Sequence, residues 1–349
     1  MYMKRSERMK IFVEEICTWF AVHKRTLPWR GLKEEDDAQR AYLIMVSEIM
    51  LQQTQVERVK IVFKNFTEQF PTIEHLANAS NGEVIMAWRG MGYNSRALRL
   101  RDAAKEVQNG KWKVPARMRS DGENEGRGFP TEMRELQALP GIGHYTAAAI
   151  RNFAFNIPTA CLDTNIRRIY HRTFVGPENV DGTWKKDDTY LLSIAQEALD
   201  TLSTLHYPLS TSSWHGALMD FGSLVCTKRS PKWGICPLTQ KGIMKAAHKT
   251  PEWKVPARAG ADGESGKRRT KKEPGRFVGS TYIPNRIFRG KFVEELRDNP
   301  QGLTLPDIGK RICLDWNEKE HRQWLEGIAE KLKVDQLVAV QGATIRLAK

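Results

Sequence analysis

The sequence predicts a mainly α-helical protein with a small C-terminal α+β module. Three observations predict this class. Apolar residues recur at the helical period through most of residues 9–225. Turn signals interrupt these stretches too often for a coiled coil. From residue 277 onward, three helical stretches precede two short apolar runs that turn at Gly342, as in a two-stranded hairpin.

The helical stretches are separated by short turns. Residues 9–24 have helical spacing and stop before TLPWR, and residues 41–68 repeat apolar positions at the helical period. Further helices are predicted at 71–80, 82–108, 145–156, 164–173, 185–204 and 212–225. Residues 251–276 include KRRTKK and have loop composition, which predicts a basic linker to a winged-helix-like domain at 277–349.

The charge balance indicates a polyanionic partner. The 349 residues contain 55 Lys and Arg against 41 Asp and Glu, which gives a net charge of +14 and a pI near 9.6. Such an excess favours binding to phosphates, although a basic solvated surface is the alternative interpretation. No apolar run approaches the roughly eighteen residues of a membrane span. Five scattered cysteines argue against a disulfide framework and for a reducing cytoplasm.

The segment LPGIGHYTAAAI at 139–150 combines a glycine turn with the start of a helix. Gly141 and Gly143 bracket Ile142, and glycines allow the backbone to approach a ligand closely. The free N–H groups of the following helix would complete a seat for phosphate. Because a helix and not a strand precedes the turn, it favours a helix–hairpin–helix over a dinucleotide fold. An ordinary helix–helix turn is the alternative.

Two acidic residues are candidates for chemistry. Asp163 precedes a helical pattern, where an N-cap is the ordinary role of an aspartate. The helical neighbours of Glu48 are mostly apolar, among them Ile44, Met45 and Leu51. Burial on that face would desolvate the Glu48 carboxyl and favour its protonated form. The alternative is a side chain at the edge of the apolar stripe, with its head in solvent.

Six motifs occur in the order and approximate spacing of the helix–hairpin–helix (HhH-GPD) DNA glycosylases: LPWR, SEIMLQQTQV, LPGIGHYTAAAI, LDTNIRR, MDFGSLVCTKRSPK and CPL. The chain most resembles the adenine glycosylases of the MutY type, over roughly residues 10–245. The resemblance implies a two-domain core. A six-helix barrel with the helix–hairpin–helix would occupy residues 40–152, beside a helical domain built from residues 1–39 and 153–250.

The resemblance also implies roles for individual residues. Glu48 matches the general acid that protonates N7 of a flipped adenine, and Asp163 matches the carboxylate that stabilises the oxocarbenium-like sugar. Tyr145 and Asn165 match accessory residues that orient these groups. The residues assigned to DNA and base binding are Trp29, Arg30, Leu51, Gln53, Tyr93, Arg96, Gly141, Ile142, Gly143 and His144.

Tyr145 bears on the type of reaction. The related endonuclease III branch carries a lysine at this position, whose amine attacks the sugar and adds strand cleavage. A phenol cannot form that Schiff base. The resemblance therefore implies a monofunctional hydrolase that leaves an abasic site.

The loop after LVC departs from the family pattern. Cluster-bearing relatives have four cysteines spaced C-x6-C-x2-C-x5-C, which hold a 4Fe–4S cluster. Here the four positions are Cys226, Trp233, Cys236 and Gly242. With two ligands missing, we expect neither the cluster nor any other metal or cofactor. A zinc site formed by the two cysteines and His248 is the alternative, but its spacing fits no zinc pattern.

Two further departures concern the substrate. Asn94 stands where adenine glycosylases usually have a second tyrosine that wedges beside the damaged guanine. The C-terminal region is too short for the Nudix-like domain that recognises 8-oxoguanine in those proteins. The sequence therefore leaves open whether guanine or 8-oxoguanine is preferred opposite adenine.

The combined expectation is a base-excision repair glycosylase that removes adenine mispaired with guanine or 8-oxoguanine. One alternative is a glycosylase that removes thymine or uracil opposite guanine, but a pyrimidine offers no N7 for Glu48 to protonate. The other is a non-catalytic DNA-binding protein, which would need none of the four predicted catalytic residues. We expect a monomer that binds duplex DNA, has no membrane association, and resides in the cytoplasm at the nucleoid.

Overall fold

The computed structural model describes residues 3–32, 36–110, 112, 128–205, 209–249 and 273–349. Most of the predicted linker, up to residue 272, lies outside the described residues. Within the described ranges, no helix is both long and apolar enough to cross a membrane. The predicted mainly α class and the small C-terminal α+β region are confirmed.

Most helices up to residue 249 lie in stretches with predicted helical spacing, but residues 41–68 and 82–108 each divide into two helices, and the short helices at 133–138 and 237–240 were not predicted. The helices of this part of the chain are α1 (Arg5–His23), α2 (Asp37–Leu51), α3 (Val56–Gln69), α4 (Ile73–Asn78), α5 (Asn81–Ala87), α6 (Ser95–Asn109), α7 (Met133–Ala138), α8 (His144–Phe153), α9 (Thr164–Tyr170), α10 (Asp188–Thr204), α11 (Thr211–Leu224) and α12 (Pro237–Gln240). A π-helical turn at His171–Val175 extends α9, and a 3-10 turn at Trp233–Ile235 precedes α12.

The C-terminal module has more strands than the predicted single hairpin. Its elements are β1 (Gly275–Val278), β2 (Thr281–Pro284), α13 (Asn285–Asp298), β3 (Leu303–Thr304), α14 (Leu305–Ile312), α15 (Glu318–Val334), β4 (Val338–Gln341) and β5 (Thr344–Leu347). β1 and β2 pair antiparallel as a separate hairpin. The other three strands form an antiparallel sheet in the order β3-β5-β4. The predicted turn at Gly342 joins β4 and β5, with φ of 58°.

The chain divides into two compact units. The first unit is Met1–Met45, Lys113–Ala138 and Ile142–Asp262, and the second is Val46–Trp112, Leu139–Gly141 and Gly263–Lys349. This grouping differs from the domains expected from the sequence. It places α8 with the N-terminal helix, and it groups the C-terminal module with α3–α6. The expected domain ranges stay a prediction.

The core of the first unit forms around α1 and α11. Phe12 and Ile16 lie one helical turn apart on the buried face of α1. The ring of Phe12 meets Trp214 of α11 edge-on at 5.9 Å and Phe174 at 5.3 Å. Aromatic and aliphatic side chains from α9 and α10 complete this core. The core thus supports the start of α9, where Asp163 lies.

A buried ion pair lies beside this core. The π-helical turn carries Arg172 inward, where its guanidinium contacts the Glu178 carboxylate at 2.9 Å. The two side chains are 0% and 1% exposed. Arg172 also donates hydrogen bonds to the carbonyls of Thr227 (2.7 Å) and Lys228 (3.0 Å). The pair therefore fixes the loop that follows Cys226.

In the second unit, α5, α6 and the C-terminal module contribute to one buried apolar cluster. Phe288 and Phe292 of α13 pack with Leu325 of α15. Ile85 of α5 and Leu98 of α6 belong to the same buried cluster. The module is therefore packed on α5 and α6 through apolar side chains rather than attached only by the preceding linker.

We expect Glu178→Gln to lower the free energy of unfolding by about 3 kcal/mol, because the Arg172 guanidinium would be buried without its countercharge. Urea unfolding followed by circular dichroism measures this change. The matched control is Glu197→Gln, which removes an exposed pair with Arg5 at 2.6 Å in the same unit and should cost below about 1 kcal/mol. Equal effects of the two substitutions would contradict the expectation.

Candidate active site

Glu48 lies on α2 among fully buried neighbours. Met45 and Ser47 have no exposed surface, and Glu48 itself is 6% exposed. Ile44 and Glu48 are four residues apart and share one face of the helix. The apolar neighbours that suggested burial thus do withdraw this carboxyl from water.

Asp163 caps the N-terminus of α9. Its Oδ1 accepts a hydrogen bond from the Ile166 backbone N–H at 2.6 Å, and its Oδ2 accepts one from the Asn165 amide at 3.0 Å. Burial raises the pKa of this carboxyl, while these hydrogen bonds and the charge of Arg168 act in the opposite direction. The residue keeps some exposed surface, although its carboxyl is largely desolvated. The Asp163 carboxyl therefore caps α9 and is at the same time largely withdrawn from water.

Asn165 is oriented by an arginine that sequence analysis did not single out. Arg168 donates to Asn165 Oδ1 at 2.7 Å, which leaves the Asn165 N–H group directed at Asp163. The same guanidinium donates to the carbonyls of Gly222 (2.8 Å) and Cys226 (2.6 Å). A Cβ at Gly222 would lie 2.6 Å from the Asn165 Cβ, so α11 needs glycine there. Two features of the sequence could have indicated this arrangement: the second arginine of LDTNIRR and the glycine inside α11.

Tyr145 is half-buried on α8, against the core of the first unit. Its hydroxyl is 4.0 Å from the Met219 sulfur. The turn before α8 has the expected form, because Gly141 has φ of 79° and Gly143 is the extended N-cap residue. His144 is exposed and Ile142 is buried. The N-cap residue Gly143 has no side chain with which to cap this helix start.

Trp29 and Arg30 line a cavity of about 380 Å³ in the first unit. Arg30 is held by a 2.8 Å contact with the fully buried Asp220, to which Arg25 also binds at 2.7 Å. Phe20, Phe153 and Ser213 are among the other lining residues. The cavity is of the size of a small-molecule site. A larger cavity of about 840 Å³ by the start of α1 contains none of the predicted catalytic or DNA-binding residues.

The second unit holds the remaining predicted contact residues. Leu51 is half-buried, Gln53 is exposed with φ of 57°, and Tyr93 is exposed with φ of 47°. Arg96 is buried and donates to the carbonyls of Ile49 (3.0 Å), Gln52, Met91 (3.2 Å) and Gly92 (3.3 Å). Its donors thus join the end of α2 to the loop before α6. The predicted DNA contact of Arg96 stays a prediction.

The degenerate cluster loop does not fit a 4Fe–4S cluster. Cys226 and Cys236 are both buried, and burial raises the pKa of each thiol, which favours the neutral form. The Arg172 guanidinium lies 3.8 Å from Cys226 Sγ and 5.7 Å from the Trp233 ring centre. Among the described residues, no group of three or more His, Cys, Asp or Glu is arranged to hold a metal ion. His248 instead packs near Trp233, at 6.3 Å between ring centres.

The structure therefore brings the predicted residues together in two sets, one in each unit. Asp163, Asn165 and the cysteine loop are joined through Arg168 in the first unit. Glu48 and Arg96 lie in the second unit, where Arg96 bonds the last turn of the Glu48 helix. Each set supplies one buried carboxyl.

Comparisons with known proteins agree with the motifs. The family model described as HhH-GPD superfamily base excision DNA repair protein matches residues 46–186. An adenine DNA glycosylase of Mycolicibacterium smegmatis is 32% identical over 297 residues, which cover 85% of this chain and 84% of that protein. The human adenine DNA glycosylase is 34% identical over 230 residues, covering 65% of this chain and 38% of the human protein.

A solved structure agrees in fold. The structure of a thermostable thymine-DNA glycosylase matches with a TM-score of 0.54 and 24% identity, covering 70% of this chain and 98% of that one. This similarity supports the helical architecture and carries no information about which base the chain removes. Because the mycobacterial relative matches over most of both sequences, the chain belongs to the HhH-GPD superfamily of base excision DNA repair proteins, in the family of the adenine DNA glycosylases, and is a DNA glycosylase.

Proposed function

We propose that this glycosylase hydrolyses the N-glycosidic bond of adenine mispaired with guanine or 8-oxoguanine. The observation that carries the proposal is the desolvated carboxyl of Asp163, held at the start of α9 by Ile166 N–H and the Asn165 amide. A fixed anion of this kind stabilises a positively charged sugar more than water does. The adenine glycosylases to which the chain is similar support adenine as the base.

Glu48 supplies the proton in this proposal. Its side chain is buried on α2, and we assign it the role of proton donor to the extruded base. Transfer of that proton to N7 of the extruded adenine allows the C1′–N9 bond to break, with the electron pair leaving on the base. Asp163 then stabilises the cationic sugar, and water adds to C1′ and releases a proton. The overall reaction is hydrolysis of the N-glycosidic bond, which needs no cofactor.

Tyr145 directs the reaction away from strand cleavage. Its half-buried phenol near Met219 offers no amine to attack the sugar. The product is an abasic site in an intact strand. The surplus of 14 positive charges supports binding of duplex DNA by phosphate contacts. In this proposal the protein acts as a monomer in the cytoplasm, at the nucleoid.

The direct test compares bases and partners in one assay. Duplex oligonucleotides with A:8-oxoG, A:G, A:C, T:G and U:G pairs are incubated with the protein and then treated with alkali, which nicks the strand at an abasic site. Nicking of the adenine strand alone supports the proposal. Nicking of the thymine or uracil strand without the adenine strand would replace it with a mismatch glycosylase for pyrimidines.

We expect Glu48→Gln to slow adenine release by about a hundredfold or more, because the amide cannot donate the proton to N7. Binding to the mispaired duplex should be retained, as measured by fluorescence anisotropy. The matched control is Glu57→Gln, on an exposed carboxylate of α3 that contacts Lys60 at 2.9 Å. Near-normal turnover by Glu48→Gln would remove this residue from the mechanism.

We expect the wild type to lose stability relative to Asp163→Asn as the pH rises, and we expect Asp163→Asn to abolish excision because its amide carries no charge. The folded-state pKa of Asp163 is raised, so the folded protein binds more protons than the unfolded chain between the two pKa values. Ionisation in that window therefore costs stability as the pH rises. The difference in stability between the two proteins should therefore shift in favour of the variant as the pH rises above the ordinary aspartate pKa of 3.8, and should be constant below it. Urea unfolding of both proteins across this range measures the difference, and a difference that does not change with pH would contradict the expectation.

We expect the freshly purified protein to contain no stoichiometric iron and no iron–sulfur absorption band. The loop offers two buried thiols at four cluster positions, and Arg172 occupies the surroundings of Cys226. Elemental analysis of protein purified without oxygen measures this directly. A Cys226→Ser, Cys236→Ser double variant should keep its excision activity. Four iron atoms per chain would overturn the expectation.

A further inference from the structure

The loop between α5 and α6 presents a strained aromatic residue to solvent. Tyr93 is 62% exposed and has φ of 47°, a region that bulky residues rarely adopt. Such a conformation persists only where the surrounding structure holds it. Exposed aromatic rings stack on bases, and rings or apolar wedges can enter an opened base step. Contacts on both sides of Tyr93 hold it in this conformation.

One set of contacts comes from the barrel helices. Arg96 donates to the carbonyls of Met91 (3.2 Å) and Gly92 (3.3 Å), and its guanidinium lies 5.5 Å from the Tyr93 ring centre. Trp88 Nε1 donates to Gly92 O at 3.2 Å. These contacts fix the N-terminal side of Tyr93.

The other contact comes from the C-terminal module. Arg297 of α13 is 3% exposed. Its Nη2 donates to Asn94 Oδ1 at 3.1 Å and to Ile85 O at 2.7 Å, and its Nη1 pairs with Glu294. Asn94 directly follows Tyr93 and precedes α6. Arg297 therefore joins the end of α5 to the C-terminal side of Tyr93.

The module is packed tightly enough to transmit this constraint. Asn81 of α5 donates to Gln336 O at 2.9 Å. A Cβ at Gly82 would lie 2.9 Å from Ala348 O, so α5 approaches the end of the chain as closely as glycine allows. Ile85 of α5 and Leu98 of α6 also belong to the apolar cluster of the module. The loop and the module thus form parts of one packed unit.

We propose that the C-terminal module positions Tyr93 for the glycosylase reaction, through the buried hydrogen bond from Arg297 to Asn94. Tyr93 enters the base stack at the mispair, and Arg297 is a positioning residue that does not itself contact DNA. This inference rests on the proposed function, because it assigns the module a part in extruding the target base. It also gives Asn94 a role as the acceptor that links the loop to the module.

Three single variants test the proposal. Arg297→Met removes the donor and keeps much of the side-chain volume, and Asn94→Ala removes the acceptor at a partly exposed site. The matched control is Arg311→Gln, which removes an exposed contact within the same module, to Glu295 of α13 (3.3 Å), and leaves Glu294 and Asn94 untouched. For each, we would measure single-turnover adenine excision, the fluorescence of 2-aminopurine beside the mispair, and the unfolding midpoint.

Arg297→Met and Asn94→Ala should each slow excision roughly tenfold or more, since a misplaced positioning group has effects of this size. The 2-aminopurine signal on binding should fall, because the adjacent step is no longer opened. Affinity for a fully paired duplex should not change. Arg311→Gln should match the wild type in all three assays. Should Arg297→Met fail to fold, Asn94→Ala decides the outcome.

A double-variant comparison distinguishes positioning from general stability. If Arg297 acts through Tyr93, adding Arg297→Met to Tyr93→Ala should slow excision little further than Tyr93→Ala alone. Additive losses, a change in the unfolding midpoint alone, or equal loss of affinity for paired DNA would each overturn the inference. A wild-type protein that excises no adenine would instead overturn the proposed function.

Discussion

The proposed chemistry depends on keeping the Asp163 carboxyl charged although it is largely withdrawn from water. Burial favours its protonated form, and the donors at Ile166 N and Asn165, together with the Arg168 charge, favour the ionised form. All three opposing groups belong to α9, so the folding of that helix determines the balance. A carboxylate held in this way has little solvent to lose when a cationic sugar approaches, and its full charge is then available to that sugar.

The arginines of α9 and its π-helical extension connect this balance to the cysteine loop. Arg168 bonds both Asn165 and the Cys226 carbonyl, and Arg172 bonds the next two carbonyls of the loop. Displacement of the loop would therefore turn the Asn165 amide away from Asp163. In proteins with four cysteines a cluster can hold such a loop. Here the loop is held by hydrogen bonds from the buried side chains of Arg168 and Arg172 and by packing around Trp233.

The sequence predicted those features that depend on local pattern. Apolar periodicity located the helices, and the apolar neighbours of Glu48 indicated its burial. The β1–β2 hairpin was missed because its strands are short and Phe277, an apolar residue, is exposed. The bonds from Arg297 to Asn94 and Ile85 could not be predicted either, since these two partners lie 203 and 212 residues away. Charged residues are rarely buried, so residue type alone would place Arg297 on the surface.

The strain at Tyr93 has a consequence for DNA binding. Holding a bulky residue at positive φ costs on the order of 1–3 kcal/mol, which the surrounding contacts must offset when the protein folds. The buried hydrogen bonds of Arg96 and Arg297 can do so, because each has a net value of about 1 kcal/mol and leaves a costly unpaired group if broken. Ordering of the loop is then complete before DNA arrives. A wedge fixed in advance loses less conformational entropy on binding than a mobile one, so more of the binding energy remains for opening the base pair.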